Sequence, residues 1–263
     1  DTCNNSFARV IRWKDKKFEG CNGEKWVRLD ASGKPEIPVF GGIQGYYKFD
    51  GNYNDSSGLG RNASRGGDAV FQRGGVGESV FVNGRGWTHR SSSWVNIPDS
   101  NGHHGPRLSV AMWVRSSHNN KYNGVWQLAS KYSAYILGTG CWDCRNVCFI
   151  IYSSGWRYGS CYNVPSPDKW HHFVGTYDRH NVPNNTKKKL YVNGVLRSQN
   201  DGSRGGRLPG DINNDAGDLD LGHRECCAHG NFSGWMDEVQ IYNTELTSDQ
   251  VRQLYQSTVE LIR

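Results

Sequence analysis

GWMDEVQIYNTELT, residues 234–247, is the stretch that decides the fold of this 263-residue chain. After the turn residue Gly234, β-branched and aromatic residues surround one acidic pair and favour a strand. A short helix is predicted to follow, because Thr247 is a favourable N-cap and Gln250 completes a capping box. The apolar stripe of that helix consists of Val251, Leu254 and Tyr255. The stretch therefore predicts a long strand that carries Asp237 and leads into a C-terminal helix.

Four earlier segments belong with this stretch in order and spacing: GYYKFD (residues 45–50), DSSG (55–58), KWHHFVGTYD (169–178) and LYVNG (190–194). Together they resemble the laminin-G-like, concanavalin-A-like jelly roll over roughly residues 41–256. The resemblance implies an all-β fold in which two antiparallel sheets pack as a sandwich. It implies less about function, because this fold hosts lectins, adhesion modules and glycan-cleaving enzymes alike.

The rest of the chain also favours strands. Its 33 Gly, 10 Trp and 13 Tyr against 2 Met are typical of an all-β protein with many turns. Short strands are predicted at the spacing of a sandwich, and several of them, such as Leu108–Arg115, alternate cleanly between two faces. The predicted strands are Gly45–Phe49, Ser79–Asn83, Trp94–Ile97, Leu108–Arg115, Val125–Lys131, Ala134–Leu137, Cys148–Ser153, Arg157–Asn163, Trp170–Tyr177, Lys189–Val192, Leu219–Gly222 and Trp235–Tyr242. Most tryptophans, including Trp113, Trp126, Trp170 and Trp235, are expected in the core.

Residues 1–30 predict a separate small β module. A tight turn at Asn22-Gly23 and alternating residues predict three short strands: Val10–Trp13, Phe18–Cys21 and Lys25–Leu29. Because so small a sheet buries little, we expect a disulfide between Cys3 and Cys21. Residues 31–41 are then a linker, and residues 42–263 form the jelly-roll domain.

The cysteines and the glycosylation sequons predict a secreted, extracellular glycoprotein. Eight cysteines are too many for a reducing compartment unless they bind metal. Five sequons agree with this, at Asn4, Asn54, Asn62, Asn184 and Asn231. No run approaches the ~18 apolar residues that a membrane span requires, and no signal peptide begins the sequence. Asp1 in place of Met suggests a processed or trimmed chain.

The formal net charge is +6, and the pI is about 8.9. Basic residues concentrate at Lys187–Lys189 and between Arg12 and Lys17. The simpler interpretation is solvated loops and hairpin faces. The alternative is attraction to an anionic glycan or surface. No nucleic-acid-binding motif is present, so nucleic acid is not an expected partner.

The remaining six cysteines predict one bridge within a hairpin and, at one rim of the sandwich, two loops fixed to each other, which we name the pinned rim. Cys148 and Cys161 flank a turn symmetrically, so we expect a bridge across a hairpin. Cys226 and Cys227 are adjacent and are expected to bridge separately to Cys141 and Cys144, in a pairing that stays open. The same four thiols could instead hold a zinc ion. Either arrangement holds residues 141–145 beside residues 223–231.

The resemblance implies a structural calcium ion, bound by Asp237 on the last long strand and by Asp50 and Asp55 opposite it. Calcium prefers several oxygen ligands, including carboxylates. The alternative is that Asp237 caps a turn and Asp55 begins an Asx turn. Asp211–Asp218 resembles the first half of a second calcium loop, but no bidentate Glu follows at the twelfth position. An ordinary polar loop is the alternative there.

The pinned rim is the predicted ligand site. Aromatic faces with nearby polar groups suit sugars, and the candidates are Trp142, Asp143 and Arg224, with Trp156 and Tyr158 on the neighbouring hairpin. These aromatics could instead cover the disulfides as a minor core. We predict glycan binding, with an extracellular-matrix or adhesion scaffold for a protein partner as the alternative.

A glycan-cleaving enzyme is a remote third prediction. Such relatives place two or three carboxylates at alternate strand positions, facing one sugar. The chain has no Glu-x-Asp-x-x-Glu pattern, and Asp218-Leu219-Asp220 has the alternation but lacks a third acid. No catalytic residue is therefore assigned.

Overall fold

The structure, a computed structural model, describes residues 3–4, 10–21, 26–29, 36–84, 93–117, 127–139, 146–154, 156–164, 166, 168–181, 187–200, 210–223 and 231–262. It confirms the predicted fold class. Two antiparallel sheets pack as a sandwich, a small hairpin sheet precedes them, and a short helix follows.

The described elements in chain order are β1 (Ile11–Lys14), β2 (Lys17–Cys21), β3 (Trp26–Arg28), β4 (Ile43–Tyr47), β5 (Ser64–Gly66), β6 (Val70–Arg73), β7 (Glu78–Val82), β8 (Trp94–Ile97), β9 (Arg107–Ser116), β10 (Gln127–Lys131), β11 (Tyr135–Thr139), β12 (Asn146–Ser153), β13 (Trp156–Asn163), β14 (His171–Asp178), β15 (Lys188–Val192), β16 (Val195–Asn200), β17 (Leu219–Leu221), β18 (Gly234–Tyr242) and α1 (Ser248–Thr258). A 3₁₀ helix, Asn101–His103, lies between β8 and β9.

The sandwich consists of a seven-stranded and an eight-stranded sheet. The first has the order β13-β12-β11-β10-β17-β8-β5. The second has the order β16-β15-β14-β9-β18-β7-β6, with β4 also paired to β18. One edge of β18 pairs with β9; the other pairs with β7 over Gly234–Met236 and with β4 over Val239–Tyr242. Between these two partners the strand bulges at Asp237–Glu238, where Glu238 has φ 52°.

The core lies between the two sheets. Both contribute alternate side chains that are fully buried, among them Val110, Met112, Leu137, Phe149, Phe173 and Ile241. Burying one such side chain stabilises the fold by about 1.5–3 kcal/mol. Gly175 on β14 shows how tight the packing is, because a Cβ there would lie 2.4 Å from the ring of Phe149.

Helix α1 covers part of the outer face of the eight-stranded sheet. The predicted capping box is confirmed, with Thr247 accepting from the Gln250 N–H and the Gln250 side chain accepting from the Thr247 N–H. Apolar side chains from the helix and the sheet form a second cluster: Ala111, Val174, Tyr191, Tyr242, Leu246, Val251 and Leu254. Ile37 and Phe40, from the predicted linker, pack against this cluster.

Some details differ from the sequence-based expectations. Strand β4 ends at Tyr47, because Phe49 has φ 51° and cannot continue a strand. Strands β5, β6 and β16 were not predicted. They are short and largely exposed, so they lack the apolar alternation that identifies a strand.

The tryptophans only partly follow their assignment to the core. Trp113 is buried as expected. Trp170 and Trp235 are only half-buried, which corrects their assignment. Trp126 lies outside the described residues.

The N-terminal sheet is built from β1, β2 and β3. The predicted disulfide Cys3–Cys21 is present, and both cysteines are buried. The Arg12 guanidinium lies 4.1 Å from the ring centroid of Trp26. A salt bridge of 2.8 Å joins Lys17 on this sheet to Glu36. The proposed boundaries of the module, the linker and the jelly-roll domain stay a prediction.

Candidate functional site

Much of the predicted rim lies outside the described residues. This holds for the ligand candidates Trp142, Asp143 and Arg224 and for the cysteines Cys141, Cys144, Cys226 and Cys227. The backbones of Trp156 and Tyr158 lie on β13, paired with Ser153 and Ile151; their side chains also lie outside the described part of the chain. The described members of the rim are His223 and Asn231.

The second predicted disulfide joins β12 and β13. Cys148 and Cys161 are paired residues in the hairpin register, as the symmetric spacing predicted, and they form the bridge. Cys148 packs with Ile136 and Ile150 on the outer face of the seven-stranded sheet. The disulfide therefore links the two strands at this edge of the seven-stranded sheet.

A polar and aromatic patch lies on the outer face of the same sheet and includes the rim residue His223. Strands β8 and β17 pair there, and their alternate residues enter the core: Val95, Ile97, Leu219 and Leu221. The side chains between them face outward, because successive strand residues point to opposite faces. We name this surface the Trp94 patch; its members are Trp94, Asn96, Asp220 and His223.

Direct contacts hold the Trp94 patch together. Asn96 Nδ2 donates to Asp220 Oδ1 at 3.2 Å, and His223 Nδ1 lies 3.3 Å from Asp220 Oδ2. The rings of Trp94 and His223 lie 5.1 Å apart, tilted by 30°. The Asp220 carboxylate thus fixes both an amide and an imidazole beside an aromatic ring.

Trp94 lies directly against the neighbouring strand β5. A Cβ at Gly66 would be 2.2 Å from the Trp94 ring, so only glycine permits this approach. The Trp94 ring is half-buried, while Asp220 is 9% exposed. An aromatic face beside fixed acceptors and donors can stack on sugar C–H groups and bind sugar hydroxyls.

Sequence reasoning missed this patch, although parts of its signal were present. Trp94 and Asn96 alternate on a predicted strand, and Asp220 alternates with Asp218. The two strands are 124 residues apart at their Asn96–Asp220 contact. Nothing local to either segment indicates that they pair.

The three predicted calcium ligands are only partly brought together. Asp237 is fully buried in the β18 bulge, and the charge of Asp50 acts on it. Asp237 accepts N–H groups from Val76 at 2.7 Å and from Glu238 at 2.8 Å. Asp55 accepts from the N–H groups of Tyr46, Ser57 and Arg61. The bond to Ser57 is the Asx turn that was the alternative interpretation of Asp55.

The charge at Asp237 nevertheless suits a cation. Burial raises the pKa of Asp237 well above its ordinary value, and the negative charge of Glu238 adds to this effect. A bound divalent cation relieves such an excess of buried negative charge. Among the described residues, however, no group of three or more His, Cys, Asp or Glu side chains could hold a metal ion. Backbone carbonyls and water would therefore have to supply most of the ligands.

The second candidate calcium loop, Asp211–Asp218, is bonded to a buried lysine, Lys131. The ammonium group of Lys131 is fully buried and lies 2.6 Å from the Asp99 carboxylate. It also donates to the carbonyl of Gly217 in the loop. Asp215 and Asp218 accept backbone N–H groups from Gly217 and Asp99. These contacts favour the ordinary polar loop that was the alternative for this segment.

The predicted basic run Lys187–Lys189 makes internal contacts. Lys187 and Lys188 are buried, and Lys187 donates to the carbonyl of Arg179. Lys189 forms a 2.7 Å salt bridge with Glu245. This run is therefore a poor candidate for attracting an anionic partner.

The described sequons differ in accessibility. Asn4, Asn54 and Asn62 are exposed, and Asn231 is half-buried. Asn184 lies outside the described residues. Glycosylation at all five stays a prediction. No helix in the described part of the chain has the length and apolar character needed to span a membrane.

Solved structures share this architecture at low sequence identity. Domain 4 of AbnA, a GH43 extracellular arabinanase from Geobacillus stearothermophilus solved with arabinotriose, matches at 23% identity with a TM-score of 0.61; the match covers 81% of this chain and 98% of that domain. The binding domain of botulinum neurotoxin DC, in complex with rat synaptotagmin II, matches at 11% identity with a TM-score of 0.60. That match covers 82% of this chain and 52% of the toxin chain. A structure of botulinum neurotoxin type C, whose cell entry depends on two ganglioside molecules, matches at 13% identity with a TM-score of 0.59. That match covers 82% of this chain and 51% of the toxin chain.

At these identities the likenesses concern the fold, and the chain spans about half of the toxin chains. A comparison with curated proteins finds no significant match. A family model does match: the model for the concanavalin A-like lectin/glucanases superfamily aligns with residues 89–252, which is more than half of the chain. With its two-sheet sandwich and C-terminal strand and helix, this chain belongs to the concanavalin A-like lectin/glucanases superfamily.

Proposed function

We propose that this chain is an extracellular recognition module that binds glycans without cleaving them. The observation that carries the proposal is the Trp94 patch, where an indole face lies beside a carboxylate, an amide and an imidazole. Such a set of groups matches the apolar faces and hydroxyls of a sugar. The two disulfides agree with an oxidising compartment.

The chemistry of the Trp94 patch favours binding over hydrolysis. Most glycosidases use a pair of carboxyl groups on either side of the scissile bond. In the described residues the patch contributes one carboxylate, Asp220, and its oxygens are held by Asn96 and His223. One neighbour of similar fold was solved with arabinotriose, and cell entry of the type C toxin depends on two ganglioside molecules, which supports a sugar ligand for this fold.

Replacing Trp94 tests the proposal. We expect Trp94→Ala to weaken binding to any neutral glycan identified on an array by tenfold or more, which is about 1.4 kcal/mol. The reason is the loss of the stacking face. Trp13→Ala is the matched control, because Trp13 is 63% exposed on the N-terminal sheet. Asp220→Asn provides a second variant that keeps the shape of the patch. Unchanged glycan affinity in both patch variants would contradict the proposal.

A scaffold function for a protein partner is the second candidate. The N-terminal sheet exposes four large apolar side chains, with Ile11, Trp13 and Phe18 each more than half exposed and Val10 42% exposed. The rings of Trp13 and Phe18 lie 4.8 Å apart, and exposed apolar groups in contact are typical of interaction surfaces. A glycan array without specific binding, together with loss of cell adhesion in Trp13→Ala, would favour the scaffold over the lectin.

We further propose a structural calcium ion held by Asp237 and Asp50, with backbone carbonyls as further ligands. Binding to the folded state alone would raise its stability by about 2.7 kcal/mol at a hundredfold excess over the dissociation constant. We therefore expect calcium to raise the melting temperature of metal-free protein and Asp237→Asn to abolish that response. Asp55→Asn is the matched variant and should keep the response to calcium, because the Asp55 carboxylate is bound by its own loop.

Metal analysis of the purified protein must come first, since a slowly exchanging ion would hide the effect. An unchanged melting temperature after proven removal and re-addition of calcium would refute the site. Loss of the response in both Asp237→Asn and Asp55→Asn would instead support the calcium site with three carboxylates that was predicted from the sequence.

A further inference from the structure

A cleft of about 580 Å³ lies on the eight-stranded sheet, away from the Trp94 patch. Its walls are the β6–β7 loop, residues 74–77, and the C-terminal residues Glu260 and Leu261 beyond α1. Arg73 at the end of β6 and Arg115 on β9 also line it. The volume lies in the range of clefts that bind small ligands. We name it the Arg73–Arg115 cleft.

The charges in the Arg73–Arg115 cleft are open to a ligand. Neither arginine forms an ion pair with a described residue, and the same holds for Glu260. Two guanidinium groups and one carboxylate thus give the cleft a net positive charge. Lys187–Lys189, in contrast, make contacts within the fold.

Arg115 is oriented before any ligand arrives. Its guanidinium lies 4.4 Å from the ring centroid of Trp235, its cross-strand neighbour. Trp235 is held in turn, because its Nε1–H donates to Gln72 Oε1 at 2.9 Å and its ring packs 4.9 Å from that of Phe81. A stacked guanidinium keeps its N–H edge available for an oxyanion. A fixed donor loses less entropy on binding than a mobile one.

The glycine loop forms a fixed wall of backbone. Gly74, Gly75 and Gly77 all have positive φ, and the Gly74 N–H donates to the Gly77 carbonyl. The loop is anchored to the sheet because the Val76 N–H donates to the buried Asp237 carboxylate at 2.7 Å. A Cβ at Gly75 would lie 2.3 Å from Asp237 Oδ2. Three of the four residues in this wall are therefore glycines, which contribute only backbone, and Val76 is the fourth.

We propose that the Arg73–Arg115 cleft is a second binding site, which takes an acidic saccharide. A carboxylate or sulfate group on the sugar binds the two arginines, since guanidinium groups match planar and tetrahedral oxyanions. Hydroxyl groups meet Glu260 and the backbone of the glycine loop, and Leu261 offers an apolar contact for a ring face. The lining is more apolar than polar, so a few polar groups orient the ligand while the apolar surface accommodates the ring faces of a saccharide.

Calorimetry with three oligosaccharides tests this site: a sulfated heparin tetrasaccharide, a hyaluronan tetrasaccharide that carries carboxylates alone, and neutral cellotetraose. We expect at least one acidic probe to bind and cellotetraose to bind at least tenfold more weakly. Arg115→Gln and Arg73→Gln should each reduce acidic binding by tenfold or more. Arg65→Gln, an exposed arginine on the other sheet, removes the same charge and should change it less than twofold.

Unchanged binding in Arg73→Gln and Arg115→Gln would overturn the proposal, as would an equal loss in Arg65→Gln or the failure of both acidic probes to bind. Melting temperatures establish that each variant is folded; because Arg73 is exposed, its variant is expected to be as stable as the wild type. Trp94→Ala separates the two sites, since it should leave acidic binding intact. Failure at the Trp94 patch and failure at the cleft are therefore distinguishable.

Discussion

Asp99→Ala will lower the free energy of unfolding by about 3 kcal/mol, because it leaves the buried ammonium of Lys131 without its carboxylate. Lys131 is fully buried, while the Asp99 side chain is 28% exposed. Breaking a buried pair costs about 3–5 kcal/mol, and the partial exposure of Asp99 places this pair at the lower end. Denaturant unfolding measures the change.

The double variant Asp99→Ala/Lys131→Met is the matched control. It removes both charges and keeps the volume of the lysine, so we expect it to regain most of the lost stability. A double variant as unstable as Asp99→Ala alone would contradict the role given to the ion pair and point to packing.

The same pair predicts a pH dependence. Burial raises the pKa of Asp99, but the hydrogen bond and the charge of Lys131 outweigh burial and hold the pKa below its ordinary value of 3.8. A lowered pKa in the folded state gives stability that is complete above the unfolded-state pKa and is lost as the pH falls through the folded-state pKa. The stabilities of the wild type and Asp99→Ala should therefore converge only in strongly acidic solution.

Gly75→Ala is expected to lower the free energy of unfolding by about 3 kcal/mol, from left-handed backbone strain of about 1–2 kcal/mol and from overlap in a packed site. Gly75 has φ 72°, and its new Cβ would lie 2.3 Å from the carboxylate of Asp237. The displaced loop should also lose the wall of the Arg73–Arg115 cleft. Binding of the acidic probe by the folded fraction should therefore fall as well.

Gly58→Ala separates the two causes. Gly58 has φ 88°, and beyond its chain neighbours no atom lies within 4 Å of the position that a Cβ would take, so only the backbone strain applies. We expect a loss of about 1–2 kcal/mol there. Equal losses at both glycines would show that the contact between the loop and Asp237 contributes little.

The β18 bulge connects the structural and the functional proposals. One buried carboxylate, Asp237, lies between the strand partners β7 and β4 and holds the glycine loop through Val76. The charge of Asp50 reaches the same carboxylate from the segment after β4. A change at this bulge should therefore affect both calcium binding and the shape of the Arg73–Arg115 cleft, whereas the Trp94 patch, on the other sheet, should be unaffected.

Local patterns in the sequence determined much of this fold. Alternating residues identified β9, and β-branched and aromatic residues after a glycine turn identified β18. Thr247 and Gln250 identified the start of α1, and symmetric spacing around a turn identified the Cys148–Cys161 bridge. Each of these features depends on residues close together in the chain, where strand periodicity, capping and hairpin geometry act. The short edge strands β5, β6 and β16 were not predicted, because strands without a buried face of their own lack this local periodicity.

Only the tertiary structure decided which distant residues meet. Asn96 contacts Asp220 across 124 residues, Val76 contacts Asp237 across 161, and Lys131 contacts the loop at Gly217 across 86. Strand order determines these contacts, and strand order follows from how two whole sheets bury their apolar faces together. The sequence therefore determined the elements and their caps, whereas the Trp94 patch and the Arg73–Arg115 cleft exist only because sheet pairing places remote side chains on one surface.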